Sequence, residues 1–225
     1  MRQGGKILVA GLEAHGVKRV FTVPGESFLP VLDALHDSTI RTITCRHEGG
    51  AAMMAVADGK LDGRAGVAIV TRGPGACNAS SGVHVARQDS TPMLLLIGQV
   101  ARGARDREVF QEADYRAMFA PLAKWVAEVN DTARLPEYLA RAFQVAQSGR
   151  PGPVVLALPE DILSGRCAGR PVVGGRTPRG QRRGWWLVGS RRARDGRDRR
   201  RLEPARGRRV PPTGLSRQSP YLLCR

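Results

Sequence analysis

Residues 65–100 read AGVAIVTRGPGACNASSGVHVARQDSTPMLLLIGQV and decide the fold. At each end is a short, wholly apolar run: AGVAIVT at 65–71 and PMLLLIGQV at 92–100. Each is too short for a membrane span, and neither alternates with polar residues. That is the pattern of a strand buried on both faces. Between them GPGACNASSGVHVARQDS reads as a loop entering a helix. A buried strand, a helix and a second buried strand form a parallel crossover unit.

The same alternation runs outward in both directions. KILVAGLEAHG is helical and stops at Gly16, where glycine suits a C-cap. VKRVFTV is a strand broken by Pro24-Gly25. SFLPVLDALHDS is helical, with Ser27 at the N-cap position and Pro30 in the first turn. IRTITCR is a β-branched strand, and EGGAAMMAVADGKLDG is a helix ending near Gly63. AKWVAEV and PVVLALP are two more strands, flanking the helical TARLPEYLARAFQVAQSG. The expected fold class is α/β, a parallel sheet flanked by helices on both faces, over residues 1–163. Ligands of such sheets bind at loops following the carboxyl ends of the strands. Those loops are TVPGES, CRHEGG, TRGPGACN and GQVARG.

Composition separates this region from the rest. Hydrophobic residues are 42% of the 225-residue chain, and its net charge is +16. Residues 1–163 hold 18 Lys and Arg against 17 Asp and Glu, whereas residues 164–225 hold 18 Arg against three acids. The basic balance thus belongs to an Arg/Gly/Pro-rich tail, expected to be irregular because it has too little apolar surface to offset the entropy of ordering. A nucleic-acid partner would have to act through that tail by neutralising phosphates, and it has no regular interleaving of basic and aromatic residues. The four cysteines, Cys45, Cys77, Cys167 and Cys224, lack the spacing of a metal or redox motif. Cys45 and Cys77 are expected to be buried free thiols. No apolar run approaches the roughly 20 residues of a membrane span, and KILVAGL is too short for a signal peptide. The expected location is cytoplasmic, without a membrane partner.

In the loops, Glu48 follows a strand and opens a helix whose next residues are small, so a flat ligand could approach. From spacing alone it is either a helix-start acid or a ligand group. Gly73 and Gly75 allow close approach, while Pro74 stiffens the turn. The loop lacks the G-x-G-x-x-G and Walker patterns of nucleotide sites. From the sequence alone Asn78 can cap the helix that follows, and Pro24 and Pro74 can shape turns. His15, His36, His47 and His84 form no metal set, and no metal ligand is assigned.

Taken together, VFTVPGES, RHEGGAAMMAVADGKLDGRAGVAIVTRGPGACNASSGVHVARQDSTPMLLLIGQV, FQEADYRAMFAPLAKWV and GRPGPVVLALPEDIL resemble the N-terminal pyrimidine-binding domain of thiamine-diphosphate enzymes of the acetolactate synthase and pyruvate oxidase type. The blocks stand in the family's order and cover essentially all of residues 4–163. The resemblance implies that Glu48 hydrogen-bonds N1′ of the cofactor's aminopyrimidine. Its imino tautomer is thereby favoured, so that it can take the thiazolium C2 proton. It implies that Pro24 and Gly25 form the turn beside the ring, that Thr71, Pro74 and Asn78 line the pyrimidine pocket, and that Phe110 and Gln111 reach the substrate side. Gln111 is thereby a catalytic candidate beside Glu48.

Family enzymes also have a middle domain and a third domain that binds the diphosphate through Mg²⁺ with a G-D-G motif, absent here. The resemblance therefore implies only the pyrimidine half of a site, Mg²⁺ only through the missing domain, and an isolated chain without turnover. Its 2-oxo acid substrate would be handled by the complete enzyme, as a homo-oligomer or by pairing with a full-length relative. A regulatory or decoy partner is the alternative. Residues 164–225 read as an out-of-frame remnant of the middle domain: Trp185-Trp186 read one nucleotide later gives Gly-Gly, as in the turn after the family's first middle-domain strand.

Overall fold

The computed structural model describes residues 1–168. The strands are β1 (Arg2–Gln3), β2 (Arg19–Thr22), β3 (Arg41–Thr44), β4 (Gly66–Val70), β5 (Met93–Gln99), β6 (Trp125–Glu128), β7 (Pro153–Pro159) and β8 (Arg166–Cys167). The helices are α1 (Gly4–Ala14), α2 (Leu29–His36), α3 (Glu48–Asp62), α4 (Pro74–Gln88), α5 (Tyr115–Phe119), α6 (Leu135–Gln147) and α7 (Glu160–Ser164). Six strands form one sheet in the order β3-β2-β4-β5-β7-β6, and every pair in it is parallel. The α/β architecture expected from the apolar runs is the one observed.

Side-chain alternation divides the core into two layers. Val67 and Ile69 of β4, Leu94 and Leu96 of β5, and Val154 and Leu156 of β7 pack on one face with Leu8 and Leu12 of α1, Val31 of α2 and Leu139 and Phe143 of α6. Ala68 and Val70, Leu95 and Ile97, and Val155 and Ala157 pack on the other with Ala52 and Ala55 of α3, Ala79 and Val83 of α4 and Phe119 of α5. All residues of β4, β5 and β7 are buried, which explains their uninterrupted hydrophobicity. The edge strand β3, by contrast, has only Ile43 partly covered.

The second layer is unusually close. A methyl on Gly82 of α4 would lie 2.4 Å from Ala52 Cβ of α3, and one on Gly66 would lie 1.9 Å from the Ala55 carbonyl oxygen. The small residues of α3 and α4 therefore let these helices approach each other and the sheet, a packing that larger side chains would open.

Some local expectations need correction. Ser27 does not cap α2. A 3₁₀ turn occupies Glu26–Phe28, and Phe28 takes the N-cap position without a side-chain hydrogen bond. Pro30 does sit in the first turn of α2. Cys77 is exposed and Cys45 half-buried. The buried side of α4 is set by Ala76, Ala79, Val83 and Ala86, and Cys77 falls off that stripe. Regular structure also continues beyond residue 163: α7 ends at Ser164, and Arg166–Cys167 pairs antiparallel with Arg2–Gln3. The expectations of an irregular tail, an out-of-frame remnant and a basic nucleic-acid surface concern residues that lie, from 169 onward, outside the described ones. No helix among the described residues is long and apolar enough to cross a membrane.

Candidate functional site

The chain reverses direction across the sheet between β2 and β4. From β2 it proceeds to the neighbour β3 on one side, and from β4 to β5 on the other. The loop after β2 leads toward α2 on the first face and the loop after β4 leads into α4 on the second. Diverging connections leave a crevice at the carboxyl ends of β2 and β4. Thr22 Oγ1 donates to the Ile69 carbonyl at 2.7 Å and ties the two strands just below it.

Glu48 is the first residue of α3. His47 caps that helix, its Nδ1 accepting from the Gly49 amide at 3.1 Å. The carboxylate thus sits at the positive end of a 15-residue helix. Its Oε2 accepts from Asn78 Nδ2 at 2.9 Å. Among the described residues no hydrogen bond reaches Oε1, which lies 3.3 Å from where a Gly75 methyl would stand. Asn78 belongs to the second turn of α4, so it is a partner of Glu48 and not a helix cap. The tight α3–α4 packing brings the two together.

Thr71 joins the remaining loops. Its Oγ1 is 2.9 Å from Ser27 Oγ. A methyl on Gly25 would lie 2.4 Å from Thr71 Cβ, and one on Gly75 would lie 2.8 Å from Thr71 Cγ2. Gly98 of β5 admits Ser27 by the same means, since a methyl there would lie 2.0 Å from Ser27 Oγ. Gly25, Thr71, Gly75, Glu48 and Asn78 therefore form one continuous wall. Pro24 and Pro74 are exposed, Pro24 in the β2 loop and Pro74 in the first turn of α4.

Gln111 arrives from the segment between β5 and α5. Gly73 has φ 59°, and a methyl on it would strike Gln111 Cβ at 2.7 Å. Gln111 itself has φ 65°, as Asp106 and Glu108 have φ 63° and 54°, conformations that cost non-glycine residues energy. Local contacts sustain them. Glu112 accepts from the Asp106 amide at 2.8 Å and the Val109 amide at 3.2 Å, and these bonds hold its carboxyl below the usual range. Arg105 pairs with both Glu112 and Glu128. Phe110 is 72% exposed, with its ring free of the core.

Three contributors escaped the sequence reading. Arg72 is 8% exposed. Its Nε donates to the Phe110 carbonyl at 3.2 Å and its guanidinium pairs with Glu160 of α7. Tyr115, 2% exposed, accepts the Gly73 amide on its hydroxyl at 2.8 Å. Burial pushes the Tyr115 phenol up, against the opposing bond from Gly73, so it stays neutral there. Ser27 is fully buried against Thr71. For Arg72 the signal was a charged residue placed directly after a wholly apolar strand. Tyr115 gave none, and Ser27 carried only the helix-start signal of a serine before an apolar run.

A sheet reversal whose loops bring Gly25, Thr71, Gly75 and Asn78 around one carboxylate at a helix start marks an α/β domain with its polar groups where ligands of such sheets bind. Residues 2–118 match the family described as thiamine pyrophosphate enzyme, N-terminal TPP binding domain, and the chain belongs to that family. It is 42% identical over 175 residues to the catabolic acetolactate synthase of Raoultella terrigena, covering 78% of this chain and 31% of that protein. It is 42% identical over 159 residues to the acetolactate synthase isozyme 2 large subunit of Escherichia coli, covering 71% and 29%. To the probable acetolactate synthase large subunit of Methanocaldococcus jannaschii it is 40% identical over 163 residues, covering 72% and 28%. The chain thus spans less than a third of the length of these relatives.

Proposed function

We propose that residues 1–168 supply the pyrimidine-binding half of a thiamine-diphosphate site in an acetolactate synthase-type enzyme that acts on 2-oxo acids such as pyruvate. The observation that carries this reading is the Glu48 carboxylate, anchored through one oxygen by Asn78 while the other lies over Gly75 at the sheet reversal. A ring nitrogen entering beside Gly25 and Gly75 would meet Oε1, and a proton shared between these two acceptors would join them. The residues present therefore fit the aminopyrimidine. When bound, thiamine diphosphate supplies the electron sink that 2-oxo acid decarboxylation and carboligation need.

This chain's residues bind and orient. Glu48 holds a proton shared with the ring nitrogen, and Asn78 keeps its carboxylate from rotating away. Pro24 and Gly25 shape the turn on one side of the ring; Thr71, Pro74 and Gly75 shape the other. Gln111 and Phe110 face the substrate side from the loop braced on Gly73. Among the described residues no group of three or more His, Cys, Asp or Glu is arranged to hold a metal ion. In the proposal Mg²⁺ and the diphosphate are held by another part of the enzyme, across a contact with a second subunit or a full-length relative. The protein works in the cytoplasm.

Calorimetric titration with thiamine diphosphate tests this. The chain is expected to bind weakly, and Glu48→Gln to weaken binding by about tenfold or more, the worth of a charge-assisted hydrogen bond. Equal affinity of the two proteins would refute the assignment of Glu48.

A further inference from the structure

At the far edge of the sheet from β3, a cleft of about 220 Å³ is lined by Arg116, Trp125, Val126, Arg134, Tyr138 and Arg141, among others. Its wall is the outer edge of β6, which among the described residues pairs with β7 and no other strand. Trp125 and Tyr138 stack at 6.2 Å between ring centroids, with an interplanar angle of 13°. Arg141 lies 4.5 Å over the Trp125 ring and Arg134 lies 5.1 Å over the Tyr138 ring. Arg134 also pairs with Glu137. Among the described residues neither the Arg116 nor the Arg141 side chain has a carboxylate or carbonyl partner.

We propose that this cleft is a docking site for an extended, acidic segment of a partner polypeptide, added as a seventh strand along β6. An edge strand offers unpaired backbone groups, and a protein that does not cover the edge must discourage indiscriminate pairing. Here the flanking charge makes the selection. Three guanidinium groups against one carboxylate repel a second copy of the same edge, which carries the same three arginines. The rings do not provide a platform for a flat ligand, because each is engaged by the other ring and by an arginine. What remains available is the strand backbone and the donor edges of Arg116 and Arg141, since Arg134 already donates through Nε and Nη2 to Glu137; such edges suit carboxylates. Carboxylates on alternate residues of an added strand would project to the same face, where Arg141 of α6 can receive them.

The test uses the full chain and a fluorescein-labelled, acetylated peptide of alternating Glu and Val. Controls are the same peptide with central prolines, an alternating Lys-Val peptide and inorganic pyrophosphate. The Glu-Val peptide is expected to bind and to slow amide hydrogen exchange at Trp125–Glu128. The double variant Arg116→Ser, Arg141→Ser, both at exposed positions, is expected to bind about tenfold more weakly and to lose that protection. Prolines should also remove it, because they delete the donors that pair. Unchanged affinity in the double variant without protection of β6 would assign the binding to the arginine-rich tail and overturn the proposal. Equal binding of the proline peptide would do the same. Competition by pyrophosphate with no protection of β6 by either ligand would show a simple anion site, which is also a refutation.

Discussion

Replacing Gly82 with alanine tests the helix contact that brings Asn78 to Glu48. The new methyl would stand 2.4 Å from Ala52 Cβ and 2.8 Å from Ala52 C. Carbon atoms rest about 3.5–4.0 Å apart, so α3 and α4 must separate by about 1 Å. Overpacking of this kind costs about 1–3 kcal/mol. Alanine is also the better helix former by about 0.8–1 kcal/mol, which would mask part of that cost. Gly50→Ala supplies the control: it makes the same exchange in α3, where nothing lies within 4 Å of the added methyl. The difference between the two variants therefore isolates the clash. In urea denaturation Gly50→Ala is expected to hold or raise the midpoint, and Gly82→Ala to fall below it by about 1 M, given a slope of about 1–3 kcal/mol/M. Because the separation acts on the interface that carries the 2.9 Å Glu48–Asn78 bond, Gly82→Ala should also weaken thiamine-diphosphate binding. Equal upward shifts in the two variants would show that the close approach does not exist.

Other consequences follow from the same geometry. Arg72→Ala leaves Glu160 without its partner and the Phe110 carbonyl without its donor; a loss of about 1–2 kcal/mol is expected, below the fully buried case because Glu160 is partly exposed, with faster amide exchange confined to residues 109–112. Asp161 is partly buried, which alone would raise its pKa, but the backbone amide and guanidinium of Arg102 outweigh that and hold its carboxyl below the usual range. Its stabilisation is therefore present above the ordinary aspartate pKa of about 3.9 and lost as pH falls through the lower, folded value; Arg102→Ala should flatten the acid limb of the melting temperature against pH. Iodoacetamide should alkylate exposed Cys77 before Cys45, whose thiol is half-covered and pushed up by burial; peptide mass spectrometry gives the order.

The sheet was legible because its central strands are buried on both faces and are apolar almost throughout, with Gln99 at the end of β5 the one polar side chain in them. The place of Glu48 at a helix start was legible because a strand, an acid and a run of small residues succeed one another in the chain. Ser27 was misread because a serine before a helical run fits a cap equally well, and only the fold places Gly98 and Thr71 against it. Asn78 had two readings until α4 was seen to begin at Pro74, which puts residue 78 a full turn inside. Arg72, Tyr115 and Glu160 act through contacts spanning 42 and 88 residues, distances over which no local period carries information. Cys77 was misassigned because an Ala-rich helix presents small residues on both sides, so its buried stripe is faint.

The account rests on a proton shared between Glu48 and a ring nitrogen held at the sheet reversal. Titration of the isotope-labelled chain with a free 4-aminopyrimidine, which needs neither metal nor diphosphate site, addresses this directly. Chemical-shift changes centred on Gly25, Gly49 and Gly75, abolished by Glu48→Ala, are the expected result. Shifts centred elsewhere, or unaltered by that substitution, would contradict it.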